Sequence, residues 1–236
     1  MKRILTLFKN DLKNIIREIM LIYIMSGPII LATLIRYGVP ILRERFIEKV
    51  DLVNYYPLIT GYFILFVPIL IGMVSGFLLL DERDEGVVQA LVLTPLSKRG
   101  YIIYRIFMPM LISLIYILIL TPFLGLVEVP VLNLIVVALL SMFESPITAL
   151  FLTVFAGNKV EGLAFSKGLG LFMMAPLARL IESRWTVLAR LIPFYWAVES
   201  FLVIGEKGFY FNILIGLLIH LLLLFVLLKK FEAKLI

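Results

Sequence analysis

The sequence predicts an all-α, polytopic membrane protein: six transmembrane helices, an N-terminal amphipathic interfacial helix, and a broken outer segment before the last span. Three observations predict it. The chain is 62% hydrophobic with a mean hydropathy of +1.09, whereas soluble domains are roughly 45–50% apolar. Its apolar runs recur six times at close to the ~20 residues that a bilayer-crossing helix needs. The polar stretches between them are short, so the 236 residues read as a single transmembrane domain, residues 1–236, with no room for a large soluble one.

The first element, residues 1–18, carries Ile4, Leu5, Phe8, Leu12, Ile15 and Ile16 at helical spacing. Lys2, Arg3, Lys9, Asp11, Lys13 and Arg17 fill the other face. Such a helix lies in the membrane interface with its cationic face toward headgroups. A signal peptide does not fit, because the charged region is long and no small-residue cleavage site follows the apolar run.

The spans are placed at about Ile19–Ile35, Leu58–Leu80, Ile102–Leu124, Val131–Phe155, Leu163–Ile181 and Tyr210–Leu228. With the N-terminus inside, fourteen of the 22 lysines and arginines fall on the cytoplasmic side. That bias places both termini in the cytoplasm, in a cell membrane crossed many times. The loop Gly125–Pro130 carries no cation and marks the outside. Residues 185–208 are too polar for a seventh span and too apolar for a free loop. Pro193 breaks this stretch, and Tyr195 and Trp196 suit the headgroup level. Two short helices dipping into the outer leaflet and an amphipathic surface helix both fit this pattern.

Net charge is +6. The basic residues are scattered over both sides, which points to lipid headgroups rather than nucleic acid. With one histidine and no cysteine, Cys–His pairs, His–Glu zinc motifs, thiolate metal sites and disulfides are excluded. Gly157–Gly162 has the spacing of a phosphate loop. Leu163-Ala164 follows it, however, where Lys and Ser/Thr are needed to reach phosphate and magnesium. The residues therefore provide no catalytic set and no bound cofactor.

Two features inside the membrane carry polarity. Glu144 falls near the middle of the fourth span, in Phe143-Glu144-Ser145-Pro146, where a charge costs roughly 2.5–3.5 kcal/mol. Pro146 frees a carbonyl near Met142. His220 lies at similar depth in the sixth span and is a candidate partner. An intramembrane polar station and a hydrogen-bonded glue between helices are both open. Small residues, Gly72 and Gly76 in the second span and Gly162, Ser166, Gly168 and Gly170 in the fifth, allow close helix approach within or between subunits.

The densest polar segment is residues 81–99. Asp81, Glu82, Asp84 and Glu85 read as the first turn of a helix, where acids meet the positive dipole end. That helix stops before Pro95. Ser97 caps the third span, with Lys98 and Arg99 at the membrane face. The segment is a joint bound directly to two spans, suited to being gripped by a partner.

Glu82-Arg83-Asp84-Glu85-Gly86, then Gln89 in an apolar helix, then Thr94-Pro95-Leu96-Ser97, with Arg105 on the next span, resemble the signature of the ATP-binding-cassette (ABC) type-2 permease family. Val87 stands where that family often has Thr. The layout of interfacial helix, six spans and a Pro-x-x-Trp segment (Pro193, Trp196) extends the resemblance over the whole chain, closest to members that export drugs of the fluoroquinolone type. The resemblance implies a non-catalytic permease subunit of an exporter for apolar or amphipathic substrates. It implies pairing with a second permease half, identical or paralogous, and ATP and Mg held on a separate ATPase subunit. Glu82, Asp84, Glu85, Gly86, Thr94, Pro95 and Arg105 are then ATPase-coupling residues, and Pro193 and Trp196 cap the outer end of the path. A self-contained channel or ion-coupled transporter is the alternative. It would want more paired intramembrane charges than Glu144 and His220.

Overall fold

The computed structural model of the chain describes residues 2–86, 97–181 and 184–234. The interfacial helix α1 (Lys2–Arg17) ends at Glu18, whose extended backbone turns the chain into α2 (Ile19–Phe46). A 3-10 turn (Leu52–Tyr55) leads into α3 (Tyr56–Asp84), followed by α4 (Ser97–Leu124), α5 (Val131–Ser141), α6 (Glu144–Phe155) and α7 (Lys159–Phe172). Two 3-10 stretches (Ala175–Leu180 and Arg184–Leu191), α8 (Pro193–Leu202) and α9 (Phe209–Lys234) complete the described elements. Among the described residues there is no strand, as a lipid environment demands: with no water to satisfy the backbone, each span closes its own hydrogen bonds. Among the described residues, six apolar helices are long enough to cross a bilayer: Ile19–Phe46, Leu52–Asp84, Gly100–Leu124, Val131–Phe155, Lys159–Leu180 and Phe209–Lys234.

α2 runs eleven residues past its expected end at Ile35, through Pro40 to Phe46. Its far end is held by Arg36, whose guanidinium donates to the Phe123 carbonyl and sits 4.7 Å over the Phe123 ring. Arg43 then pairs with Asp51 at 3.0 Å. The Val53 N–H, and after it Arg43, hold the Asp51 carboxyl below the usual carboxylate range.

α3 is the central helix. The most apolar stretch of its span is 83% buried, against 67% for the fourth span and 17–28% for the other four. A helix that is apolar all round belongs inside. It lies against α6 along Gly72 and Gly76. A Cβ on Gly72 would strike the Ser145 carbonyl and come within 2.7 Å of Thr148 Cβ; one on Gly76 would meet Leu152 at 2.9 Å and the Ala149 backbone at 3.2 Å. The small-residue stripe thus serves packing within the chain at this seam. Gly162 likewise admits Leu80 and Phe77 of α3 against α7, whereas a Cβ on Gly168 or Gly170 would meet no atom within 4 Å among the described residues.

The fourth span is broken between α5 and α6, at Met142 and Phe143. Pro146 cannot donate to the Met142 carbonyl. Ser145 takes it instead, through Oγ at 2.8 Å and N–H at 3.3 Å.

The outer segment is two short helices, as one of the two sequence readings has it. Pro193 occupies the first position of α8, where no N–H is needed. Trp196 Nε1 donates to the Arg190 carbonyl at 2.7 Å, tying α8 to the preceding 3-10 stretch. Trp196 also packs on Gly216 of α9 and Val198 on Gly61 of α3. Tyr195 and Trp196 are each only 5% exposed, so they are anchors within the protein rather than rings facing lipid.

The glycine seam sets a clear expectation. Gly72→Ala forces the α3 and α6 backbones apart and destabilises the chain by about 1–3 kcal/mol. Gly168→Ala, in open space, is neutral or stabilising by up to about 1 kcal/mol. Unfolding of the two variants in detergent, side by side, measures the difference.

Candidate functional site

The acidic run lies in the last turn of α3, not the first turn of a new helix. The span continues unbroken through Asp84 and ends where Gly86 turns left-handed (φ 69°), a conformation glycine adopts without strain. The Glu85 N–H reaches the Asp81 carbonyl at 2.9 Å and the Gly86 N–H the Arg83 carbonyl at 3.1 Å, closing the helix. The expectation of a favourable dipole is therefore reversed: these acids crowd the negative end. Cations brought by the fold from distant parts of the chain offset that cost.

Two networks do so. In the first, the Arg105 guanidinium of α4 binds both carboxylate oxygens of Asp11 on α1, at 2.9 and 3.2 Å, and also donates to Glu82. The Tyr101 hydroxyl donates to the other Glu82 oxygen at 2.6 Å, and the Tyr104 hydroxyl to Asp11 at 2.7 Å. Arg105 is 4% exposed. In the second, Lys159 at the start of α7 bridges Glu18 (2.6 Å) and Asp81 (2.8 Å). Arg83 also turns inward, donating to the Thr153 and Ala156 carbonyls at the end of α6 (3.0 and 2.9 Å), and Lys234 of α9 donates to the Val154 carbonyl at 2.5 Å. At this end of the bundle, where α1 and the end of α9 lie, α1, α3, α4, α6, α7 and α9 are fastened together.

The candidate coupling residues thus divide. Glu82 and Arg105 are internal and position the end of α3. Asp84 and Glu85 are exposed, and their side chains have no hydrogen-bond or ion-pair partner among the described residues. Gly86 is the turn. Thr94 and Pro95, and the short helix expected between Gly86 and Pro95, lie outside the described residues. Asp11, Tyr101, Tyr104, Glu18 and Lys159 were not foreseen. A signal for Asp11 was present: it stands with Phe8, Leu12 and Ile15 at i, i+3, i+4 and i+7, on the face that packs inward. Counting it with the lysines of the polar face concealed this.

The intramembrane pair is in contact. Glu144, at the start of α6, and His220, on α9, are both fully buried, with Oε1 2.7 Å from Nε2. His220 Nδ1 is 2.6 Å from the Gly216 carbonyl, an acceptor, so Nδ1 carries a proton. One further proton is shared between Nε2 and Oε1. Imidazolium–carboxylate and imidazole–carboxylic acid are both neutral as a pair, which is what burial among apolar side chains requires. Glu144 Oε2, Ser141 Oγ and Thr148 Oγ1, one turn apart along the broken span, have no hydrogen-bond partner among the described residues. No group of three or more His, Asp or Glu side chains converges among the described residues as a metal centre would.

Removing one member of the buried pair strands the other. His220→Leu is expected to cost about 3–5 kcal/mol, while the double variant Glu144→Leu/His220→Leu regains most of it, since both partners then become apolar. A double-mutant cycle of unfolding in detergent reads the coupling.

Residues 11–228 match the family described as fluoroquinolones export permease protein Rv2686c-like. Two curated relatives from Mycobacterium tuberculosis are similar to the chain: the fluoroquinolones export permease protein Rv2686c of strain H37Rv and MT2760 of strain CDC 1551. Each is 30% identical over 233 residues, covering 96% of this chain and 92% of the relative. No solved structure matches. A six-span helical bundle with this match across nearly its full length belongs to the Rv2686c-like family of fluoroquinolone export permeases.

Proposed function

We propose that the chain is the membrane subunit of an ABC type-2 exporter, moving an apolar or amphipathic drug of the fluoroquinolone class outward. ATP is hydrolysed on a separate ATPase subunit, docked at the end of the bundle where α1 and the last turn of α3 lie; that end faces the cytoplasm of a cell membrane. The observation that carries this reading is the division of the acidic run. Asp84 and Glu85 project outward without partners among the described residues, while their neighbours Asp81, Glu82 and Arg83 are tied to α1, α4, α6 and α7. A force applied at Asp84 and Glu85 is therefore passed to most of the bundle rather than absorbed by a loose loop. A second permease half completes the path. α7 supports this, because Gly168 and Gly170 leave its face open and its span is only 17% buried. ATP drives the cycle by binding the two arrangements of the complex with different affinity.

The buried Glu144–His220 pair is the one observation that favours the alternative of ion coupling, since paired intramembrane groups are what such transporters use. Export that needs a proton gradient and proceeds without ATP hydrolysis would decide for it.

Under the ABC reading, the tagged chain co-purifies with a phosphate-loop ATPase. The Asp84→Lys/Glu85→Lys variant folds normally but loses that partner or, in the assembled complex, substrate-stimulated ATP hydrolysis. Unchanged coupling in this variant refutes the docking role.

A further inference from the structure

A cavity of about 230 Å³ lies between α1, α3 and α4, directly beside the Asp11–Arg105–Glu82 network. It is larger than the roughly 150 Å³ that accommodates a benzene ring, and so has room for one ring system or chain. Its walls are almost wholly apolar: Phe8 and Leu12 of α1, Val74 of α3, and Ile112 and Ile115 of α4 among them. Charge enters at one end only, where Asp11, Tyr104 and Arg105 join the lining, while Ser75 and Tyr116 add uncharged polar groups farther along the wall. Leu12 and Ile115 are 38% and 47% exposed, so the cavity opens sideways, to the outside of the bundle, beside α1.

The charge at the polar end is unbalanced. Two carboxylates, Asp11 and Glu82, share one guanidinium, and Tyr101 and Tyr104 add hydroxyl donors without charge. Among the described residues the cluster thus sets two acids against one guanidinium, and charge in such low-dielectric surroundings acts more strongly than in water. Lys9 and Lys13 on α1 are exposed to the outside of the bundle and make no ion pair with these acids. Asp11 lines the cavity, its side chain 14% exposed and its oxygens accepting from Arg105 and Tyr104. Arg105 Nε–H, buried and without a partner among the described residues, leaves one donor for an acceptor oxygen.

We propose that this cavity is the lateral boarding site for cationic amphiphiles: molecules with an apolar ring or chain and a protonated amine, which slide in from the cytoplasmic leaflet and set the amine against Asp11. The proposal rests on the export reading and deepens it, because it names the charge class of the cargo and where the cargo leaves the lipid. An exporter gains from such a position. The amphiphile is already oriented in the leaflet with its amine at headgroup level, so it enters body-first without crossing water. Its contact with Asp11 reaches α1 and α4 together, the elements that hold the end of α3 in place.

The test uses the full-length permease in phosphatidylcholine nanodiscs, with empty discs as the blank for partitioning. Three matched probes are titrated: a dansyl alkylamine, the corresponding alcohol and the corresponding carboxylate. The amine is expected to bind about tenfold tighter than the carboxylate. Ile112→Trp, which fills the cavity from a half-buried position and leaves the ion network untouched, should weaken the amine by about tenfold or more. Asp11→Asn should remove the preference for amine over alcohol. Equal binding of amine and carboxylate, or undiminished amine binding in Ile112→Trp, overturns the site. Export by the assembled complex separates this proposal from the reading beneath it. Wild-type export rates of the amine in Ile112→Trp refute the boarding site alone. Amine binding at the cavity with no export by the assembled wild-type complex refutes the export reading and leaves the site standing.

Discussion

The contact of α3 with α6 along Gly72 and Gly76 is the constraint on which the rest of the structure depends. Without a hydrophobic drive between helices in lipid, association relies on dispersion and on close, complementary surfaces. Two glycines one turn apart let the backbones of the second and fourth spans meet, and every larger side chain in between is then placed by that contact. The other spans pack around this pair and keep one flank toward lipid, which accounts for the large difference in burial between α3 and its neighbours.

From that seam the polar elements follow in register. Holding α6 against α3 sets the broken fourth span at mid-membrane, where Ser145 covers the carbonyl that Pro146 leaves open and Glu144 faces α9. One end of the same pair brings the last turn of α3 beside the end of α6, so Arg83 can close the Thr153 and Ala156 carbonyls. The interfacial helix is then not merely resting on the membrane. Asp11 binds it to Arg105 of α4, and Glu18 binds the elbow after it to Lys159 of α7. Ion pairs of this kind, buried for Asp11–Arg105 and partly exposed for Glu18–Lys159, add little net stability. In this chain they specify where the end of α3 points.

Much was legible in residue order. Six spans, the amphipathic start, the broken outer segment and the Glu144–His220 pairing all follow from periodicity, length and the rarity of charge in lipid. The direction of each acid in residues 81–85 did not. Four acids before a glycine read equally as the start of one helix or the end of another, and dipole preference favours the start. The structure chose the end, because Arg105 and Lys159, cations from other parts of the chain, offset the unfavourable dipole there. Asp11 was misplaced for a related reason: an acid among lysines reads as part of a solvated face until a buried arginine lies opposite it.

The sequence by itself determined the class of the molecule, its number of spans and the places where polarity enters the membrane. These are local properties: a run of apolar residues crosses a bilayer whatever its neighbours do, and a proline removes one hydrogen bond wherever it stands. Only the tertiary structure decided which charges are tied and which are free, because that depends on partners 19 to 141 positions away in the chain. Glu82 and Arg105 became internal ties, while Asp84 and Glu85 stayed outside. Asp11, Glu82 and Arg105 closed the polar end of a cavity that no single segment encodes. Pairing in three dimensions, more than composition, separates the parts that hold this permease together from those left to meet a partner.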